Sequence, residues 1–353
     1  MARILLHDQQ YKIGGPAAVL NGIEESIIGQ HHELIRLAQP GSCGFNLFKA
    51  FRFVRHYKKE ISKYNADAIY ICGLQYVGFL MTVAAKLSNV KKVVLSVHGS
   101  EWDTPEKTIR KFILKYILEP IEVRMADAVF TVCNAAQKRI KALKCAKPGH
   151  NFGVVYNTFP EAKYEDVKCG FIREEFGISD NKILVAVVGR VTERKGHQYI
   201  IEAIKAIQDD SFVFMIVGDG EYLKHYREEC VEDISSGRVI LTGARKDVNN
   251  ILKDADIFLF ATLNENHSIA LLEAVNMKCA VICTNVGGNP EIIENDKSGL
   301  LIPDKDSTSI IDALNKLKDS SLRNKYCDQA KEQALIKFSV DATYGKLERI
   351  LVN

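Results

Sequence analysis

The stretch Ile183-Leu184-Val185-Ala186-Val187-Val188-Gly189-Arg190-Val191-Thr192-Glu193-Arg194-Lys195-Gly196-His197 decides the fold. Its six opening apolar residues form a run of strand length, the form taken by a strand buried on both faces of a parallel sheet. A glycine ends the run, two cations follow, and sequence of helical period resumes after Gly196. Toward the N-terminus, similar runs lie at Arg3 to His7, His32 to Leu37, Ala68 to Cys72, Lys92 to His98, Ala128 to Cys133 and Phe152 to Tyr156. Toward the C-terminus they lie at Phe212 to Val217, Arg238 to Leu241, Ile257 to Phe260 and Ala280 to Cys283. Successive runs leave room for one crossover helix, so the expected class is α/β with doubly wound parallel sheets. The rhythm pauses across Asn157 to Lys168, around Pro160, and this predicts two Rossmann-like lobes, 1–165 and 166–353, facing across a cleft. The last helical segment is free to pack back on the first lobe. In open parallel sheets ligands sit beyond the carboxyl ends of the strands, so the residues just after each strand are the ones to search.

Composition narrows the function classes. The chain has 353 residues, 47% of them hydrophobic and 26% charged, which excludes disorder and collagen. No period of 20 to 50 residues recurs, so solenoids are out. Nine cysteines, odd in number, scattered and without a Cys-x-x-Cys pair, read as reduced and cytoplasmic. His31-His32 has no ligand at metal spacing, and no structural metal is expected. The N-terminal sequence turns charged after Leu5-Leu6, and nothing approaches the ~18 apolar residues of a membrane span, so neither a signal peptide nor an integral segment is expected. Charge is uneven: residues 1–160 carry a net +10 and residues 161–353 a net −7. The two lobes therefore meet different partners, or one partner in two ways.

Four constellations follow strands. Arg190 and Lys195, between a strand and a helix start, make an anion site. At an effective dielectric of 20, each cation about 4 Å from a phosphate oxygen contributes on the order of 4 kcal/mol before desolvation. A solvated basic loop is the other reading. Glu265 lies in the loop before a helix expected to begin near Ser268 and Glu273 about one and a half turns into it, and the backbone N–H groups of Ser268 and Ile269 suit phosphate; two exposed carboxylates are the alternative. Val286-Gly287-Gly288-Asn289-Pro290-Glu291 and Gly14-Gly15 either admit a ligand close to backbone or simply turn the chain. His98 ends a strand, with Trp102 nearby, and is structural or catalytic. No Gly-x-Gly-x-x-Gly follows the first strand and no Walker motif exists, which disfavours nicotinamide and P-loop enzymes.

Over essentially its whole length the chain resembles the retaining nucleotide-sugar glycosyltransferases of family four, whose GT-B fold sets two Rossmann-like lobes face to face. The resemblance is most specific between 183 and 300, where Gly-Arg-x-x-x-x-Lys-Gly, Val-Gly-Asp-Gly, the paired glutamates with Leu-Leu-Glu-Ala, and Val-Gly-Gly-Asn-Pro-Glu occur in the family's order. It implies that Arg190 and Lys195 hold the donor diphosphate, that Glu273 binds ribose hydroxyls, and that Glu265 lies near the donor sugar. It further implies that His98 stands near the reaction centre, that Gly14 and Gly15 lie beneath the phosphates, and that Gly243 and Arg245 fall where backbone holds the base. Two departures stand out: Asn266-His267-Ser268 replaces the usual Gly-Phe-Gly, and Tyr156-Asn157-Thr158 replaces Pro-Asn-Gly at the lobe junction.

The expected activity is metal-free, cofactor-free transfer of a sugar from a UDP- or GDP-sugar to a saccharide or lipid-linked saccharide, in cell-surface polysaccharide or glycolipid assembly. A nucleotide-sugar epimerase of the same architecture and a two-lobed binding protein are the alternatives. Lys49, Arg52, Arg55, Lys58, Lys59 and Lys63 interleave with Phe48, Phe51, Phe53, Val54 and Tyr57, and a second mixed helix spans Lys107 to Arg124. These read either as ordinary solvated helices or as a peripheral contact with the anionic inner leaflet. No nucleic-acid partner is expected.

Overall fold

The computed structural model describes residues 1–9, 15–39, 45–103, 108–159, 167 and 169–353. These form two compact units, Met1–Thr158 with Val340–Asn353, and Phe159–Ser339.

The first unit holds six parallel strands: β1 (Arg3–Asp8), β2 (Glu33–Ala38), β3 (Ala68–Cys72), β4 (Lys92–Val97), β5 (Ala128–Thr131) and β6 (Asn151–Val154), in the spatial order β2-β1-β3-β4-β5-β6. Alternate side chains enter two cores, one on each face. Leu5, Ile69, Leu95 and Val129 lie on one side, and Ile4, Leu6, Tyr70 and Val94 on the other. The helix Val340–Val352 closes the second face through Leu347, Ile350 and Leu351. A segment remote in sequence thus belongs to this unit because it covers apolar sheet that would otherwise face water.

The second unit holds β7 (Ile183–Val188), β8 (Phe212–Val217), β9 (Val239–Gly243), β10 (Ile257–Phe260), β11 (Ala280–Thr284) and β12 (Leu300–Ile302), ordered β12-β11-β10-β7-β8-β9. Every residue of β8, β10 and β11 is buried, which is why these strands read as unbroken apolar runs. Strand order reverses between β7 and β10, because the chain winds outward through β8 and β9 and then returns to the other side of β7. A crevice opens at such a point beyond the carboxyl ends of the two strands.

At the opposite, amino end of β10, Asp254 is buried and caps a helix distant in sequence. Its carboxylate accepts the backbone N–H groups of Gly170, Ile172 and Arg173, at 2.5, 2.7 and 3.3 Å, at the start of helix Phe171–Phe176. Asp256 accepts Arg173 Nη2 at 2.7 Å and the Leu184 amide at 2.9 Å. Replacing Asp254 with alanine strands these donors and is expected to cost about 2–3 kcal/mol, lowering the second unit's calorimetric midpoint by roughly 5–10 °C. An unchanged midpoint would contradict this account of the cap.

Candidate active site

Residues following β7 and β10 meet where the strand order reverses. After β7, Gly189 leads to Arg190 and to a single 3-10 turn, Glu193–Lys195, which Gly196 ends at a left-handed φ of +68°. A Cβ at 196 would be driven into the Ala261 carbonyl oxygen, so the turn sits hard against the end of β10. Lys195 thereby reaches the next loop, with Nζ 2.5 Å from Glu265 Oε2 and 4.8 Å from the centre of the Phe260 ring. The two side chains of this ion pair are only 15% and 18% exposed, so solvent screens it weakly. Arg190 is exposed, and its side chain has no hydrogen bond or ion pair among the described residues.

Glu265 is also held from behind. Gly287 has φ +54°, and a Cβ there would collide with the Glu265 carbonyl oxygen; the Gly288 amide donates to that same oxygen at 3.4 Å. The glycine pair that sequence left as ligand approach or turn is therefore packed against the Glu265 backbone. Helix Ile269–Asn276 starts three residues after Asn266, and Ser268 is its N-cap, with Oγ accepting the Leu271 amide at 3.3 Å. Its first ladder bond runs from the Leu272 amide to the Ser268 carbonyl at 3.2 Å. The Ile269 and Ala270 amides precede that bond at the positive end of the helix, the geometry that favours an anion. Glu273 is half-buried one turn farther along.

Gly243 ends β9 with φ +71°, and its carbonyl accepts the Gly218 amide at 2.9 Å. The Arg245 guanidinium is committed within its own unit. It donates to Glu175 at 2.8 and 2.8 Å and to Asp247 at 2.8 and 2.6 Å, and it lies 5.5 Å from the Phe176 ring centre. A base at this edge would therefore be met by backbone.

Two Asp-x-Asp triplets, a pattern able to hold a divalent cation, serve other purposes. Asp254 and Asp256 make the contacts at the amino end of β10 described above. In the second triplet, Asp306 caps helix Ser307–Lys316 through the Ser309 amide at 3.1 Å.

In the first unit, His98 follows β4, with Nε2 2.8 Å from Ser96 Oγ and 3.3 Å from the Tyr70 hydroxyl. Burial holds its pKa down to about 4, so the ring is neutral at pH 7 and offers hydrogen bonds rather than charge. The segment after it is fixed by residues that carry no motif. Glu119 accepts the Ser100 hydroxyl at 2.8 and 3.0 Å and the Glu101 amide at 2.8 Å. Asp103 accepts the Ser100 amide at 3.0 Å and the Arg139 fork at 2.6 and 2.9 Å. Burial pushes Glu119 up to about 7 and Glu122 up to about 8. The one sequence signal for this pair is two acids three residues apart among apolar neighbours. Gly14 lies outside the described residues, and Gly15 begins the helix Gly15–Glu25 that follows β1.

Comparison with known proteins places the chain in a family. Residues 18–131 match the glycosyl transferase 4-like family and residues 170–334 the glycosyl transferases group 1. The chain is 27% identical over 283 residues to a UDP-Gal:alpha-D-GlcNAc-diphosphoundecaprenol alpha-1,3-galactosyltransferase of Escherichia coli, covering 78% of this chain and 73% of that protein. It is 27% identical over 236 residues to N-acetyl-alpha-D-glucosaminyl L-malate synthase of Bacillus anthracis, covering 65% and 60%. The Anabaena protein HepE, solved with UDP and glucose, superposes with a TM-score of 0.79 at 18% identity, over 99% of each chain. Sucrose-phosphate synthase from Thermosynechococcus elongatus gives 0.82 at 15%, over 99% and 98%. The two parallel six-stranded sheets are those of the GT-B fold, and the chain belongs to the GT-B glycosyltransferases of the group 1 and 4-like families.

Proposed function

We propose that the chain transfers a sugar, with retention of anomeric configuration, from a UDP- or GDP-sugar to a saccharide or polyprenyl-linked saccharide acceptor in the assembly of a cell-surface polysaccharide or glycolipid. The observation that carries this reading is the Lys195–Glu265 pair at the strand-order reversal, beside the amino end of helix Ile269–Asn276. In the proposed reaction the bond from the sugar anomeric carbon to the diphosphate oxygen breaks. An acceptor hydroxyl bonds that carbon from the same face, and its proton passes to the departing phosphate oxygen. Arg190, Lys195 and the Ser268–Ile269 amides stabilise the charge growing on the diphosphate, the work a metal or cofactor would otherwise do. The diphosphate takes over Lys195 from Glu265, which turns to the donor sugar, while Glu273 accepts the ribose hydroxyls. Neutral His98 hydrogen-bonds at the acceptor side, and Gly14, Gly15, Gly243 and Arg245 contribute backbone. Incubation with UDP- and GDP-sugars tests the reading. Acceptor-dependent release of nucleoside diphosphate, with the product anomer matching the donor by NMR, is expected; donor interconversion without acceptor, or binding without turnover, would refute it. Release should be unchanged in EDTA.

The polyprenyl-linked arm of the proposal is supported by the first unit's surface, and by the diphosphoundecaprenol acceptor in the name of the Escherichia coli relative. Among the described residues no helix is long and apolar enough to cross a membrane. Leu47, Phe48 and Phe51 nonetheless stand 90%, 68% and 66% exposed on the basic helix Leu47–Ser62. Ile109, Phe112, Tyr116 and Ile117 are exposed as well, and the Arg110 guanidinium lies 5.6 Å from the Phe45 ring centre, linking the two patches. We assign this face to the cytoplasmic leaflet, where each cation near an anionic surface contributes about 1 kcal/mol. Cosedimentation with phosphatidylglycerol vesicles at physiological salt, and its loss on Leu47→Glu/Phe51→Glu substitution, is the expected result. Equal sedimentation with neutral vesicles would contradict the charge contribution.

A further inference from the structure

Beyond β4, Trp102, Lys115 and Lys141 form a cluster that the donor chemistry leaves unused. Trp102 is the only tryptophan in the chain and follows His98 by four residues, in the segment clamped by Glu119 and by the Asp103–Arg139 pair. Lys115 Nζ lies 4.1 Å from its ring centre and Lys141 Nζ 5.4 Å, so two ammonium groups from separate elements converge on one indole. Among the described residues neither lysine has an ion pair or hydrogen bond from its side chain, whereas the nearby acid Asp103 is taken by Arg139. Two ammonium groups drawn to one ring repel each other, and the indole offsets only part of that cost.

The backbone contributes to the convergence. Helical sequence runs from Ile109 to Met125, but Leu114–Leu118 is a π-helical turn. Pro120 lacks the N–H that would bond the Tyr116 carbonyl, and the widened turn carries Lys115 and Tyr116 together. The Tyr116 ring stands edge-on to Trp102 at 5.4 Å and Phe112 packs on Tyr116 at 4.9 Å. Phe112, Tyr116 and Ile117 are 58%, 51% and 45% exposed, so apolar surface borders the cations on one side. A ligand matched to this arrangement carries a multiply charged anion directly joined to an apolar chain.

We propose that Trp102, Lys115 and Lys141 form the subsite for the diphosphate of a prenyl-diphosphate-linked acceptor. The proposal rests on the acceptor class read above and deepens it. Phosphate on a lipid is the chemistry recognised, and either the acceptor or a leaflet phospholipid could present it; the charge density of two adjacent phosphates against two ammonium groups that have no ion pair among the described residues favours the acceptor.

Trp102 emission reports on the site directly, without turnover. Full-length protein is titrated with farnesyl diphosphate below its micellar concentration, with inorganic pyrophosphate, with inorganic phosphate, and with phosphatidylglycerol vesicles. Farnesyl diphosphate should change the emission saturably and pyrophosphate should do so more weakly. In the Lys115→Gln/Lys141→Gln variant the farnesyl diphosphate midpoint should rise about tenfold or more, as expected for lost charge-assisted contacts. Midpoints are compared, because the substitution alters the starting emission, and an unchanged thermal shift with UDP or GDP verifies that the variant is folded. Absence of a saturable change, or an unchanged midpoint in the variant, would overturn the assignment. So would a lysine-dependent change with phosphatidylglycerol and none with farnesyl diphosphate, which would give the site to the leaflet. Failure of the transfer reading itself would appear elsewhere, as a lack of donor turnover with any acceptor, whatever the two lysines bind.

Discussion

Replacing Lys195 with alanine is expected to lower turnover of the nucleotide-sugar donor about 10²–10³-fold, the loss that follows removal of one preorganised stabiliser of developing charge. Its ammonium is held by three neighbours: Glu265 at 2.5 Å, the Phe260 ring beneath it, and the Gly196 turn that fixes its backbone. Little reorganisation is therefore needed when a diphosphate arrives. The contribution grows as the leaving group separates, so kcat should fall along with kcat/KM, and not KM alone. Stability should fall as well, because Glu265 loses a weakly screened partner, so the melting curves separate that loss from the loss of turnover. Lys195→Met, which keeps the apolar stem over Phe260, should be as inactive as alanine. Steady-state kinetics with matched melting curves check this; near-normal turnover in the methionine variant would remove Lys195 from the chemistry.

Replacing Gly287 with alanine should be nearly as damaging although residue 287 carries no functional group. At φ +54° an L side chain is strained, and its Cβ has nowhere to go but into the Glu265 carbonyl oxygen. Relief requires the Glu265 loop to shift, which breaks the Lys195 pair and tilts the start of helix Ile269–Asn276. Misplacement of such a loop by about 1 Å costs on the order of 100-fold in rate. Backbone strain of this kind adds about 1–3 kcal/mol of destabilisation, so the melting point should fall only partway. Gly288→Ala serves as the comparison: Gly288 has φ −90°, which alanine adopts readily, and the activity should be far less affected. Equal loss in both variants would contradict the special role of residue 287.

The parallel strands were legible because each buried one is a short apolar run bounded by a turn signal. β7 and β8 fall where sequence places them, at Ile183–Val188 and Phe212–Val217. β12 was not legible: Leu300–Ile302 is three residues long, and it is a strand only because β11 offers Ile282, Cys283 and Thr284 as partners. The mixed helix expected over Lys107 to Arg124 proves to contain a π-helical turn, a local widening that apolar period does not register. Around the site, the strand-end cations and the helix start at Ser268 were readable in advance, since both depend on neighbouring residues. Sequence could not show that Gly287 touches Glu265, that Arg245 is bound to Glu175, or that Glu119 holds the turn after His98. Those contacts span 22, 70 and 19 residues and exist only once the sheets have formed.

In the proposed reaction Arg190, Lys195 and the first amides of helix Ile269–Asn276 together grip the departing diphosphate. A crystal structure of the protein with bound UDP or GDP decides this. Diphosphate oxygens are expected within hydrogen-bond distance of Lys195 Nζ, the Arg190 guanidinium and the Ile269 amide, with Glu265 released from Lys195. Diphosphate density lying away from these groups, with the Lys195–Glu265 pair intact, would contradict it.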